Sequence, residues 1–235
     1  MKTLGLLVLL MMVFSGFASA KTLFFDDFEG KVKNNWVFTD IEGKGVWEIT
    51  KLDGKGVFKA TSIGAWTGAT VDGVASLKDN DEIWATCKFR AEQGIASCNE
   101  LGLLTNPKSL NGNWYLSTCE GGNEIGIDEA GILWHGRVPF KWELDKWYNI
   151  KIMVEKGGTF YGKMWADGDK EPNKWMTQEK LTSHLDEDGV GFVSYHCITY
   201  FDDVVVATSE DSLVPMMVSS EGKLAVRWGE VKIGQ

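Results

Sequence analysis

Trp147–Glu155 reads WYNIKIMVE, and its alternation decides the fold class. Side chains on an extended chain alternate between two faces, so Tyr148, Ile150, Ile152 and Val154 share one face. Lys156-Gly157-Gly158-Thr159 then turns the chain into a second such run at residues 160–166. Residues 83–90 repeat the pattern, with Ile83, Ala85, Cys87 and Phe89 on one side. Glycine is abundant, at 27, and proline scarce, at 4, and turn residues separate the runs. Many short alternating runs with turns between them predict an all-β fold, a two-sheet antiparallel jelly-roll sandwich. Only residues 178–185 carry a weak helical stripe. Glu42-Gly43-Lys44-Gly45-Val46-Trp47 is echoed by Asp53-Gly54-Lys55-Gly56-Val57-Phe58. Both read as turns that open strands, since glycine supplies the positive φ that tight hairpins need.

The first twenty residues read differently. Lys2 precedes an apolar run at residues 4–14, and Ala18 and Ala20 make an A-x-A pattern before Lys21. The run is too short to span a bilayer, which predicts a signal peptide cleaved after Ala20 and a secreted or periplasmic protein. Residues 21–209 then form one sandwich domain. Ser209-Glu210-Asp211-Ser212 marks a boundary, and residues 210–235 read as a tail or an appended strand. The net charge of −9 argues against nucleic acid and anionic membranes as partners.

Cys87, Cys98, Cys119 and Cys197 make an even count, which in an exported protein suggests disulfides. Four cysteines allow three pairings. Cys87 and Cys98 flank a turn at Glu92-Gln93-Gly94, which would pair them and leave Cys119 with Cys197. Four buried free thiols is the alternative.

Phe25-Asp26-Asp27-Phe28 opens the domain, and Trp36 follows. Later come Trp147-Tyr148-Asn149-Ile150, Gly162-Lys163-Met164-Trp165, Glu171-Pro172-Asn173-Lys174-Trp175, Gly189-Val190-Gly191-Phe192 and Phe201-Asp202-Asp203-Val204. In this order they resemble the concanavalin A-like lectin/glucanase superfamily, nearest its laminin-G-like and 3-keto-disaccharide-hydrolase-like secreted bacterial domains, over about residues 23–207. The resemblance implies two facing sheets whose first and last strands are neighbours. It also implies a structural calcium ion (Ca2+) near those ends. Two Asp-Asp pairs brought together need a cation or protonation to be tolerated, and calcium accepts about six to eight oxygens. Asp27 and Asp203 are the expected ligands, with Asp26, Glu29 and Asp202 in reserve.

The superfamily includes glucanases whose active strand carries Glu-x-Asp-x-x-Glu. The nearest stretch is Glu124-Ile125-Gly126-Ile127-Asp128-Glu129, with Gly126 where the central Asp belongs. Glu124 and Asp128 share a strand face but stand about 13 Å apart along it. Glycosidases hold their carboxyls about 5–9.5 Å apart, so this strand alone makes a poor catalytic pair. A partner from another strand, such as Glu100 or Glu120, stays open. Binding is easier to support, because sugar rings stack on aromatic side chains while their hydroxyls seek carboxylates and amides. Trp66, Trp114, Tyr115, Trp134, His135 and Arg137, with Glu124 and Asp128, are the candidate carbohydrate-binding residues. Trp36, Trp47, Trp147, Trp165 and Trp175 read as core. The leading reading is thus a module that binds a polysaccharide or glycan without catalysis. A glycoside-cleaving enzyme of the 3-keto-disaccharide hydrolase or glucanase type, and an adhesive extracellular module, are the alternatives.

Overall fold

The computed structural model describes residues 20–30, 36–40, 45–64, 66–93, 98–119, 123–130 and 132–213, apart from the side chains of Gln93 and Cys119. The signal-peptide reading, Glu120, and the tail beyond Leu213 lie outside the described residues.

Fifteen strands occur among the described residues: β1 Thr22–Asp26, β2 Val37–Asp40, β3 Val46–Leu52, β4 Lys55–Thr61, β5 Trp66–Val71, β6 Glu82–Gln93, β7 Cys98–Thr105, β8 Trp114–Cys119, β9 Glu124–Glu129, β10 Leu133–Pro139, β11 Trp147–Glu155, β12 Thr159–Ala166, β13 Thr177–Lys180, β14 Gly189–Tyr195 and β15 Ile198–Ala207. The first sheet runs β13-β12-β11-β6-β15-β4-β3, with β1 also on β15. The second runs β10-β9-β8-β7-β14-β5-β2. Every pairing is antiparallel.

The alternation at 147–155 places β11 in the middle of the first sheet. Tyr148, Ile150, Ile152 and Val154 lie opposite Phe89, Cys87, Ala85 and Ile83 of β6, and all eight are buried. Facing them from the second sheet are Leu101, Leu103, Leu116, Ile125, Ile127 and Phe192. Aromatic rings cross the interior near the chain's first residues. Trp36 stacks on Phe192 at 5.3 Å, Phe192 on Phe201 at 4.3 Å, and Phe28 on Phe58 at 5.0 Å. Burial of such rings dominates core energetics. Asp53 and Gly54, at φ 53° and 84°, make the two-residue turn between β3 and β4 expected from the sequence.

Three expectations are corrected. Residues 177–180, which overlap the start of the helical stripe, form β13 and pair with β12. Glu92 and Gln93 end β6 rather than starting a hairpin, because β6 and β7 belong to different sheets. Neither expected disulfide therefore forms: Cys87 faces the interior of the first sheet, and Cys87 and Cys197 are free, buried thiols. Cys197 packs against Ser194 and Thr199, its sulfur 3.1 and 3.0 Å from their hydroxyls. Cys98 is disulfide-bonded.

Candidate functional site

The second sheet turns one face away from the core, and strand parity says which residues lie there. Gly68, Val193, Glu100, Ser117 and Gly126 form one row across β5, β14, β7, β8 and β9. Gly191, Gly102, Tyr115, Asp128 and Trp134 form the next. Two residues further along, Trp66, Tyr195 and Glu124 face the same way. The glycines let neighbouring side chains lie flat on the sheet. A Cβ at Gly68 would meet Leu110 at 2.3 Å, and one at Gly126 would meet Trp134 at 3.0 Å and Arg137 at 3.2 Å. Leu110, Tyr115, Ala130 and Val193 make a small apolar cluster here, with Trp66 against it. Asn113 pins the covering loop, since its Nδ2 donates to Ser109 O at 2.8 Å and to the Tyr115 hydroxyl at 3.1 Å.

Under this cover lies a pair of acids. Glu100 of β7 is fully buried and Asp128 of β9 is 2% exposed, with β8 between them. Ser117 Oγ donates to Glu100 Oε1 at 2.8 Å. Glu100 Oε2 and Asp128 Oδ2 are buried without a hydrogen-bond partner. Burial, and then the Asp128 charge, push Glu100 well above the usual carboxyl range. Burial raises Asp128 to about 6, against the opposing effects of its hydrogen bond with Glu100 and of His135. Two carboxylates within hydrogen-bonding reach cannot both ionise. Each carboxylate thus disfavours ionisation of the other, and the fully buried Glu100 is the more strongly held in its neutral form.

The other expected residues divide between the two faces. Trp134 lies opposite Asp128, half-buried, with the Arg137 guanidinium 6.0 Å from its ring. Arg137 also pairs with Glu124 across β9 and β10. Trp66 is half-buried against Tyr195, ring centroids 5.3 Å apart. Trp114 instead faces the core at 1% exposure and donates from Nε1 to Ser183 Oγ at 3.0 Å. His135 faces inward beside it, rings 5.1 Å apart, with Glu129 at 3.5 Å and Glu179 at 3.7 Å. Tyr115 is on the outward face but buried beneath the pinned loop. Trp114, Tyr115 and His135 are thus no exposed platform. Glu124 and Asp128 stay apart, each with its own partner.

No family model and no curated protein matches this sequence. Solved structures do match its fold. Lectin II from Ulex europaeus is similar at a TM-score of 0.54 and 12% identity, over 78% of this chain and 96% of that one. The carbohydrate-binding module CBM66 from Bacillus subtilis is similar at 0.52 and 13%, over 72% and 93%. An endo-beta-1,4-glucuronan lyase from the fungus Trichoderma reesei is similar at 0.53 and 14%, over 83% and 99%. The fold is concanavalin A-like.

In this concanavalin A-like sandwich the first and last strands are neighbours, as expected: Phe24, Phe25 and Asp26 lie opposite Val206, Val205 and Val204. Their carboxylates do not converge. Asp26 points inward, accepting from Phe28 N at 3.0 Å and from Trp36 Nε1 at 3.2 Å. Asp202 points outward, its Oδ1 accepting from Asp203 N at 2.8 Å. Asp27 accepts from Glu29 N, Glu29 pairs with Lys51, and Asp203 lies 3.5 Å from Lys88. Among the described residues no three of His, Cys, Asp and Glu gather where they could hold a metal ion.

Two features were missed by the sequence reading. Glu100 was only a reserve partner, although it is the one acid in the strand CNELGLLT. Trp147, Trp165 and Trp175 were assigned to the core but are only half-buried. Trp147 and Trp165 pair on the same parity as Asn149, opposite the inward residues of β11. That parity was the available signal.

Proposed function

We propose that this chain is a secreted carbohydrate-binding domain that seats a glycan beside Trp134, at the β9–β10 end of the outward face of the second sheet. The observation that carries the reading is Trp134. Its indole lies on the sheet over Gly126, with the Arg137–Glu124 pair beside it. An aromatic face next to fixed charged groups suits a sugar, whose ring stacks while its hydroxyls bond laterally. Support also comes from the similar fold of a lectin and of a carbohydrate-binding module. Trp134→Ala should weaken retention by the bound polysaccharide about tenfold in affinity gel electrophoresis. Unchanged retention of a folded variant would remove the reading.

The acid pair favours a second reading, a glycoside-cleaving enzyme in which Glu100 supplies a proton. Both carboxyls are buried, out of reach of a glycosidic bond. Binding therefore stays the conclusion. New reducing ends released from the same polysaccharides would reverse that order.

A further inference from the structure

The outward face of the first sheet, on the opposite side of the sandwich from Trp134, carries a line of aromatic rings. Strand register sets it out. Trp147 and Asn149 are successive outward positions of β11, and Trp165 of β12 lies opposite Asn149. Lys151 and Lys163 form the next outward pair. Met153 and Tyr161 form the one after, with Trp84 of β6 on the other side of Met153. Trp175, from the connection to β13, lies over this last row, its ring centroid 5.4 Å from Trp84 and 5.8 Å from Tyr161. From Trp147 to Met153 the strip runs about 20 Å along the strand. We infer that this strip is a second binding site, independent of the one beside Trp134, for a linear run of neutral sugar rings.

The rings are not spent on the core. Their parity is opposite to that of Ile150 and Ile152, which are fully buried. Trp147, Trp165, Trp175 and Tyr161 are each only half-buried, so part of every ring meets solvent. Large apolar groups gathered on one exposed face mark an interaction site. Each end of the strip also opens into a cavity. One of about 210 Å³ adjoins Trp147, with Lys88, Asp167 and Asp202 in its walls. One of about 420 Å³ adjoins Trp175, with Trp84, Lys163, Glu171 and Asn173 in its walls. The larger is within the size of small-molecule sites, about 300–1,000 Å³. Flat rings in a line beside fixed polar groups suit a chain of pyranoses, whose apolar faces stack while their hydroxyls bond sideways.

Charge pairing decides the class of sugar. Lys151 and Lys163 share Glu171 Oε1, at 2.7 and 2.6 Å, and Lys151 also reaches Glu210 at 3.0 Å. Lys88 lies 3.7 Å from Asp167 and 3.5 Å from Asp203. In the larger cavity Lys163 and Lys170 stand against Glu171 and Glu210. In the smaller, Lys55 and Lys88 stand against Asp167 and Asp202, while Asp53 is held by Arg90 at 3.3 Å. A charged sugar would find no unmatched charge at either end. A polyanion would also meet the repulsion of a chain with net charge −9. Hydroxyls need no such surplus. A paired carboxylate keeps lone pairs and a paired ammonium keeps N–H groups, so both still bond a neutral sugar.

The test uses the full chain in affinity gel electrophoresis and calorimetry at physiological salt. Mixed-linkage β-glucan, glucomannan and arabinoxylan are the neutral probes, polygalacturonate the anionic one and chitosan the cationic one. Measurements in the Trp134→Ala background isolate the strip. There, at least one neutral polymer should still bind, about tenfold more tightly than either charged one. Adding Trp165→Ala should cost about tenfold in affinity, the loss of about 1.4 kcal/mol of stacking. Adding Asn149→Arg instead keeps every ring but sets a long side chain between Trp147 and Trp165, and should cost as much. Melting curves confirm that the variants fold. The inference is overturned if Trp134→Ala binds no neutral polymer, if it prefers a charged one, or if folded Asn149→Arg binds as tightly. Losses at Trp165 and Asn149 with no effect of Trp134→Ala would uphold this site and remove the one on the second sheet.

Discussion

Glu100 and Asp128 show how one buried contact makes stability depend on pH. Burial raises both above an ordinary carboxyl, Asp128 to about 6 and Glu100 further. A group that binds its proton more tightly when folded stabilises the fold fully below its unfolded pKa, about 4. That contribution is lost as pH rises through the folded value. Asp202, raised to about 7 by burial and then by the Asp203 charge, adds to the same slope. The melting temperature should therefore fall between pH 5 and pH 8. Glu100→Gln keeps a donor for Asp128 without a titrating proton. It should leave the melt at pH 5 nearly unchanged and raise it at pH 8 by about 2–4 °C, the size expected for about 1 kcal/mol at this chain length. Calorimetry at both pH values decides; equal shifts at the two would show that the two carboxyls do not disfavour each other's ionisation.

Strand β15 explains the doubled aspartates that first suggested a metal. Its first half, Ile198 to Phe201, pairs with β4, and its second half, Val204 to Ala207, pairs with β1. Asp202 and Asp203 sit at the change of partner, where the β15–β6 register also slips. Asp203 adopts φ 51°, a left-handed conformation that Asp tolerates better than most residues. The pair thus makes a bulge, in which Asp202 accepts from Asp203 N and Asp203 pairs with Lys88 of β6. Glycine acts at the same scale on β7. A Cβ at Gly102 would meet the Tyr115 ring at 2.5 Å and Trp114 O at 2.6 Å, whereas one at Gly54 meets nothing within 4 Å. Gly102→Ala should cost about 1–3 kcal/mol through overpacking. Gly54→Ala, strained only by φ 84°, should cost about 1 kcal/mol. Urea unfolding of the two variants checks the order; a larger loss at Gly54 would contradict it.

At the scale of the whole molecule, two sheets packed through an aromatic interior hold the first and last strands of the domain together. Phe24 and Phe28 near the start pack in one core with Val204 and Val206 near the end. Hydrogen bonds from Lys21 N to Thr208 Oγ1 at 3.0 Å and from Thr22 Oγ1 to Ser212 O at 2.8 Å close the seam. With the nearby carboxylates already partnered, a chelator should leave the melting temperature unchanged within a degree or so, by calorimetry with and without added calcium. A clear drop in chelator, restored by calcium, would place a metal here after all.

What the sequence determined by itself was what depends on neighbours in the chain. Period-two alternation put Tyr148, Ile150, Ile152 and Val154 inside, and Asp53-Gly54 specified its hairpin turn, because side-chain direction and turn geometry are local. The same parity marked Trp84 and Lys151 as outward-facing. Which outward face each residue shares, and with whom, is a matter of strand order. Glu100 meets Asp128 only because β8 lies between β7 and β9, and Cys87 misses Cys98 because β6 and β7 belong to different sheets. Strand order is set by burying both inner faces at once. That is a property of all the strands together, so only the tertiary structure decided it.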